Sequence, residues 1–443
     1  MRAWSKSWIV VAALGAPAHA DDPPPVRTLL TDPAQLAAWL RDHDPQTVAY
    51  RERVVAADEQ AQQARVFPNP QLSAGIGGLA LGHGNQFPGM PTGPTGFDAT
   101  ANYAVGVSEL IELGKRGPRS AAADLRTREA TEGAVGSLGG RLNDATTALG
   151  KLAYVAAKRD VVAQNLDAAR KLEANEKIRL EHKDLGGVDF SRIQLDTEAL
   201  EIELAGADAD LQAALVTCAA TLFVPSCTAA GLDASALDAA APLPGALPQT
   251  DQAIEARPVH AALRLEASAL AKDAVLAEHR KIPDPTLGVT YEYDSYEFGG
   301  DIPQTLGISL AIPLPFFDTG RHDAAAARAN ARAIGAQEQA TLRSERGLVD
   351  AYVKQRDALE KKLERLEKES VPKSDFIVQK TREAFDEKIG VYGLAELLLA
   401  EQQHRELLLE TLDTRFDLFN VRVNLRQSLG LDDVVARDAG AKK

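Results

Sequence analysis

The 443-residue sequence is 45% hydrophobic and only 5% aromatic, with a net charge of −14 and just two cysteines. So large an excess of acid argues against a nucleic-acid backbone as partner, since the two would repel. Beyond the first twenty residues no stretch supplies the roughly 20 consecutive apolar residues of a spanning helix, so any membrane insertion must use β-strands.

Residues 1–20 read as a signal peptide. Arg2 and Lys6 precede an apolar run from Trp8 to Ala16, and the small-x-small ending Ala18-His19-Ala20 follows. Residues 21–45 then form an N-terminal periplasmic segment. From residue 46 the chain reads as one unit used twice, 46–250 and 251–431, with residues 432–443 left as a C-terminal tail. The marker of the repeat is Phe67-Pro68-Asn69-Pro70-Gln71-Leu72, which returns as Ile282-Pro283-Asp284-Pro285-Thr286-Leu287. Two prolines two apart cannot continue a helix, so each motif marks a helix becoming extended chain.

A strand pair follows each motif, at about 69–113 and about 284–315. Leu72, Ala74 and Ile76 alternate with small or polar residues, as do Tyr103, Val105 and Val107 beyond a Gly/Pro-rich loop, Gly82–Gly96. In the second pair Leu287, Val289, Tyr291 and Tyr293 alternate with Gly288, Thr290 and Glu292, and Leu306, Ile308 and Leu310 alternate with Gly307 and Ser309. Each hairpin thus has an apolar face and a polar or small one. Four strands cannot close a barrel alone, and an open edge in lipid leaves backbone groups unpaired, so several chains should share one barrel.

Each second strand leads into a long helical segment, Arg116 to Gly187 and Arg321 to Gly390, either of which would reach on the order of 100 Å. Pro372 should kink the second. The return arms match in length if residues 191–222 stack on 254–282, and 391–429 on 46–67. The breaks then coincide, with an equatorial linker (223–250), the termini and Pro372 forming a belt partway along a rod. Cys218 and Cys227 lie close enough in sequence to close a small disulfide loop around Pro225, and free thiols are the alternative. A metal-thiolate pair there lacks a nearby His. The eight His residues are scattered, so no metal site and no cofactor are expected. Gly-x-Ser-x-Gly, His-Glu-x-x-His and phosphate-cradling motifs are absent, which argues against an enzyme.

The two Pro-x-Pro strand starts, Ile111-Glu112-Leu113-Gly114-Lys115-Arg116 and Ile312-Pro313-Leu314-Pro315-Phe316-Phe317-Asp318 together resemble the TolC-like outer-membrane efflux family, over about residues 33–431. The last two motifs are most similar to its heavy-metal branch, which serves cobalt/zinc/cadmium or copper/silver export. The resemblance implies an α+β membrane protein. Long helical hairpins form a periplasmic α-barrel, and four strands per chain join a twelve-stranded outer-membrane β-barrel. It implies a homotrimer set in outer-membrane lipid, docked to a periplasmic membrane-fusion adaptor and an inner-membrane pump of the resistance-nodulation-division type. Its function would be a passive exit duct for heavy-metal cations or small toxic compounds. A duct for secreted polypeptide keeps the same fold, and a periplasmic structural coiled coil is the reading from another class.

Carried over to this chain, the adaptor-docking tips are Leu185, Gly186, Gly187 and Val188 near 185–189, and Ile389, Gly390, Val391 and Tyr392 near 389–393. Glu396 falls at the acidic ring of a periplasmic aperture. Leu399 stands where a second acidic residue often sits, and Ile193 replaces the acid expected in the first half.

Overall fold

The structure, a computed structural model, describes residues 23–78, 101–295, 302–387 and 393–441. The signal-peptide region, the loop 82–96 and the tip residues Ile389, Gly390, Val391 and Tyr392 lie outside the described residues.

Short helices α1 (Val26–Thr31) and α2 (Pro33–His43) precede α3 (Pro45–Gln63). Asp32 and Asp44 cap α2 and α3 through backbone N–H groups two or three residues on, with Pro33 and Pro45 in the first turn. There proline loses nothing, because the first N–H groups of a helix have no partner within it. Strands β1 (Gln71–Gly77) and β2 (Asn102–Leu110) follow, then α4 (Arg116–Glu181) and its return α5 (Gly187–Leu222). The 66 residues of α4 make a rod of about 100 Å. Next come α6 (Ala234–Ala239), α7 (Thr250–Glu255) and α8 (Pro258–Glu278), then β3 (Thr286–Asp294) and β4 (Gln304–Ala311). The second arm is α9 (Arg321–Arg365) and α10 (Val371–Asp386), with α11 (Leu394–Ser428) returning and α12 (Leu431–Ala441) closing the described chain.

Three details differ from the sequence-based expectation. The upper return helix starts at Pro258 rather than near residue 254, because the residue before a proline is driven to extended backbone and Arg257 adopts φ −62°, ψ 143°. The second arm is interrupted one turn before Pro372, by a π-helical stretch at Leu366–Ser370. A regular helix would press the proline ring on the carbonyl of Lys368, and the widened turn relieves that collision. Residues 432–441 of the expected C-terminal tail belong to α12, which packs on α4 and α2.

The main core is a belt midway along the rod. It joins Leu29, Leu36 and Leu40 of the N-terminal helices to Leu142, Leu149 and Leu152 of α4. Cys218 of α5, Leu237 of α6 and Phe419 of α11 complete it. Gly150 admits α11 closely: a Cβ there would lie 2.1 Å from Cε1 of the Phe419 ring. Trp39 donates its Nε1–H to the Leu222 carbonyl at 2.9 Å, tying the N-terminal segment to the end of α5. Cys218 and Cys227 are disulfide-bonded, with Cα atoms 6.0 Å apart, which pins the start of the 223–250 linker to α5.

Candidate channel wall and pore entrance

The four strands form one antiparallel sheet in the order β1-β2-β3-β4. Their register aligns Leu72, Val107, Val289 and Ile308 in one row and Ala74, Val105, Tyr291 and Leu306 in the next. Because side chains alternate across a strand, these rows share one face. The opposite face carries the rows Ser73-Gly106-Thr290-Gly307 and Gly75-Ala104-Glu292-Thr305.

In the central strands β2 and β3 burial is the reverse of that in a water-soluble sheet. Leu72 and Ile308 are 76% and 77% exposed, whereas Gly106 and Gly288 on the polar face are buried. The polar face is also the crowded one: a Cβ on Gly106 would lie 2.9 Å from Thr290 Oγ1, and one on Gly288 2.6 Å from Ser309 Oγ. Crowding on one face and splaying on the other is the signature of a sheet curved toward its polar side. Glycine at those positions permits the curvature. A convex apolar face with a concave polar one suits a barrel wall between lipid and a wet lumen. Tyr103 and Tyr293 are neighbours on the apolar face near the hairpin ends, 6.4 Å between ring centroids. Phe316 and Phe317 stand exposed just beyond β4, so aromatics flank the apolar band at both ends.

The sheet is joined to the rod by the motifs that drew notice in the sequence. Asp284 accepts the Leu113 N–H at 2.9 Å and pairs with Lys115 Nζ at 2.5 Å, while Ile111 N–H donates to the Pro285 carbonyl at 2.8 Å. Arg119 pairs with Glu112, and the Arg116 guanidinium lies over the Phe67 ring. Gly114 turns the chain at φ +72°, and Gly320 does so at φ +70° before α9. A Cβ on Gly320 would sit 1.9 Å from the Ala277 carbonyl oxygen, so no other residue fits.

Side by side, the helices nearest the sheet run α3, α4, α8, α9, and those toward the tips run α5, α4, α11 and α10. One lateral border of the wall is therefore α3 with α5, below β1, and the other is α9 with α10, below β4. Among the described residues neither β1 nor β4 has a strand on its outer edge, and apart from the short α2 no further helix lies along the α3/α5 border or the α9/α10 border.

At the tips Leu185 packs partly against a small core of Leu172, Ile193, Phe385, Leu394 and Leu397. Gly186 is the extended residue before α5, Gly187 its first residue, and Val188 is 71% exposed. Ile193, at the place where the family resemblance implies an acid, is a core residue and only 1% exposed. Glu396 is exposed at the start of α11, and its Oε2 accepts the Gly393 N–H at 2.9 Å. Its carboxylate thus caps its own helix, a role that the carboxylate's position three residues after Gly393 could have signalled. Two further contacts were not anticipated. Arg405 of α11 makes a forked pair with Asp196 of α5 at 2.7 and 3.2 Å, and His404 Nδ1 lies 2.8 Å from Ser374 Oγ of α10. On the concave face of the sheet Glu292 and Asp294 line a recess of about 640 Å³ with Asn102 and Gly75.

A network of largely buried charges joins α8, α9, α11 and α12. Arg257 holds Glu345 at 2.6 Å and Asp433 at 3.3 Å, Arg426 holds Asp432 at 2.9 Å, and His260 Nε2 meets Glu345 at 2.9 Å. Burial raises Asp432 and Asp433 above the usual carboxylate range, with Arg426 and Arg257 opposing the shift. Among the described residues no group of three or more His, Cys, Asp or Glu is placed to hold a metal ion, and no helix is long and apolar enough to cross a membrane.

No protein-family model matches the chain, and no curated protein does. Solved structures do. The transmembrane channel CusC is 14% identical over 93% of this chain and 95% of its own, with a TM-score of 0.73. The outer-membrane protein VceC of Vibrio cholerae is 19% identical over 92% of this chain and 99% of its own, at 0.71. The outer-membrane channel MtrE of Neisseria gonorrhoeae is 17% identical over 92% and 89%, at 0.69. These matches span nearly the whole of both chains, sheet and rod together, so the chain has the fold of these outer-membrane channels.

Proposed function

We propose that the chain is one subunit of an outer-membrane exit duct, closed by three copies, that passes solute passively from a periplasmic adaptor and inner-membrane pump to the exterior. The observation that carries this reading is the inverted sheet, whose outward apolar face and two unpaired edges sit on a rod of about 100 Å. An open edge in hydrocarbon leaves several backbone groups without partners, so four strands require copies to complete the wall. Three copies supply twelve strands, within the known range of membrane barrels.

The borders of the protomer favour a head-to-tail ring. The edge running through β1, α3 and α5 differs from the one running through β4, α9 and α10, so each copy would offer one to the next, and a rotation that closes gives a cylinder. Tip residues Leu185, Gly186, Gly187 and Val188, with Ile389, Gly390, Val391 and Tyr392, would meet the adaptor, and Glu396 would line the periplasmic aperture. Glu292 and Asp294, repeated around the lumen, would favour cations at the outer mouth. The heavy-metal cargo rests on the likeness of the Ile111–Arg116 and Ile312–Asp318 motifs. Small toxic compounds fit the same tunnel.

Native mass spectrometry of detergent-extracted protein, before and after boiling, tests the reading. A heat-labile species of three chains that conducts ions in a planar bilayer supports it. A water-soluble monomer that needs no detergent overturns it.

A further inference from the structure

Helix α5 carries two seams. Ile193, Leu200, Ala207 and Ala214 recur every seven residues, with Thr197 between and Cys218 beyond them, and face α4 as buried residues. A second seven-residue series, Val188, Leu195, Ile202 and, two heptads on, Val216, is 67–74% exposed. Leu195 follows Ile193 by two positions, about 200° around the helix, so the second seam lies opposite α4. Beside it run the small residues Ala199, Gly206 and Ala213. A strict seven-residue apolar repeat is the mark of a helix packed along its length against another. Among the described residues α4 is the main partner of α5; α2 touches it near its end in the belt, and at the tip Asp196 reaches Arg405 and Ile193 packs with Leu394 and Leu397 of α11, while the second seam stays exposed.

The opposite border has the matching surface. On α10, Ser374, Thr381 and Phe385 are buried against α11. Phe376, about 200° around the helix from Ser374, and Ile377 on the flank of the buried face are 59% and 51% exposed. With Lys368, Glu369, Pro372 and Lys373 they line a groove of about 440 Å³ that begins in the π-helical turn. Internal contacts set the heights of the two borders. Asp196 of α5 meets Arg405 of α11, and the adjacent His404 meets Ser374 of α10. Leu195 is thus level with Ser374, and Ile202, about 10 Å farther from the tip, is level with the π-helical turn. The groove from Lys368 to Ile377 spans the same heights.

We infer that Leu195 and Ile202 of one copy seat in the Pro372–Phe376–Ile377 groove of the next, forming the seal between neighbouring protomers just above the periplasmic tips. This rests on the ring reading above and adds its contact. Rotation about the ring axis carries every height onto itself, so level surfaces on opposite borders of one chain must meet between copies. Exposed Glu198 and Glu203 flank the α5 seam, and the groove carries Lys368 and Lys373, which pair within their own helical arm with Glu364 and Glu369 and could exchange these partners across the seam. The contact continues, below the belt, the closure that β1 and β4 make above it.

Paired cysteines in the full-length protein, in native outer membranes, test the seal. Leu195→Cys with Ile377→Cys should give two- and three-chain bands on a denaturing gel after mild oxidation, while each single variant and the mismatched pair Val216→Cys with Ile377→Cys, about 36 Å apart in height, should not. Gln71→Cys with Ser309→Cys, joined by a flexible bismaleimide, reports separately on the sheet edges. If the sheet-edge pair links chains and the Leu195/Ile377 pair does not, the seal is wrong and the ring stands. If neither pair links chains, the ring itself falls.

Discussion

A single arginine on either face of β3 separates a lipid-facing wall from an ordinary sheet. Strand β3 has nine residues. At about 3.4 Å per residue and a tilt of about 40° it spans roughly 23 Å along the membrane normal, close to the apolar band of about 25 Å in outer-membrane barrels. Val289 and Thr290 lie at its centre, paired with Val107 and Ile308 on one face and with Gly106 and Gly307 on the other. Arginine at the bilayer midplane costs about 2–4 kcal/mol, so Val289→Arg should destabilise a three-copy ring by about 6–12 kcal/mol. Thr290→Arg points toward the lumen between two glycines and should cost little. Both variants would be refolded into lipid vesicles and followed by urea titration, with native mass spectrometry counting intact three-chain species. The expected outcome is loss of the assembly for Val289→Arg and its retention, with altered conductance, for Thr290→Arg. Equal tolerance, or the reverse order, would refute the assignment of faces.

Gly150→Ala should destabilise the belt by about 1–3 kcal/mol, since the new methyl meets the Phe419 ring, itself stacked with Phe416; the shift in denaturation midpoint measures it. Glu396→Gln keeps an oxygen for the Gly393 N–H, so it should leave stability unchanged and reduce cation preference if the carboxylate lines the aperture. Glu396→Ala should cost about 0.5–1 kcal/mol as well, from the lost cap. Burial raises Asp432 and Asp433 in the folded chain. Their contribution is therefore full below the ordinary carboxylate value near about 4 and is lost as pH rises through the folded values. Belt stability should rise as pH is lowered from neutral toward that value, and hydrogen exchange in α12 at two pH values would detect the change. Below it, Asp42 and Asp233, held low by bonds from Arg41 and Ser235, lose the charge that stabilises them, which reverses the trend. Cys227→Ser should loosen the linker at a cost of up to about 3 kcal/mol, read as faster proteolysis after residue 222.

Much of the architecture was legible because it depends on local rules. Period-two alternation in 287–293 and 306–310 marks strands whatever surrounds them, and paired prolines at 68, 70, 283 and 285 end a helix in any context. The first long helix follows from a run with no proline between Pro118 and Gly187, and the break in the second from Pro372. The aperture and tips were legible only by likeness to a family, and there the local chemistry has its own account. Glu396 is engaged as the cap of its own helix, a local role readable from its spacing to Gly393, and Ile193 as core, a role set by the helices that pack beside it rather than by its position in a motif.

Residue type and spacing alone determined that this chain builds strands with opposed faces and helices of great length, because alternation and proline act within a few residues of themselves. Tertiary structure decided which way those faces turn. Curvature places the glycines of the polar face inside, and the pairing of Asp284 with Lys115 fixes sheet to rod. The level of Arg405 against Asp196, and of His404 against Ser374, sets one border at the height of the other. Such alignments depend on residues far apart in sequence, and they exist only once the helices are packed.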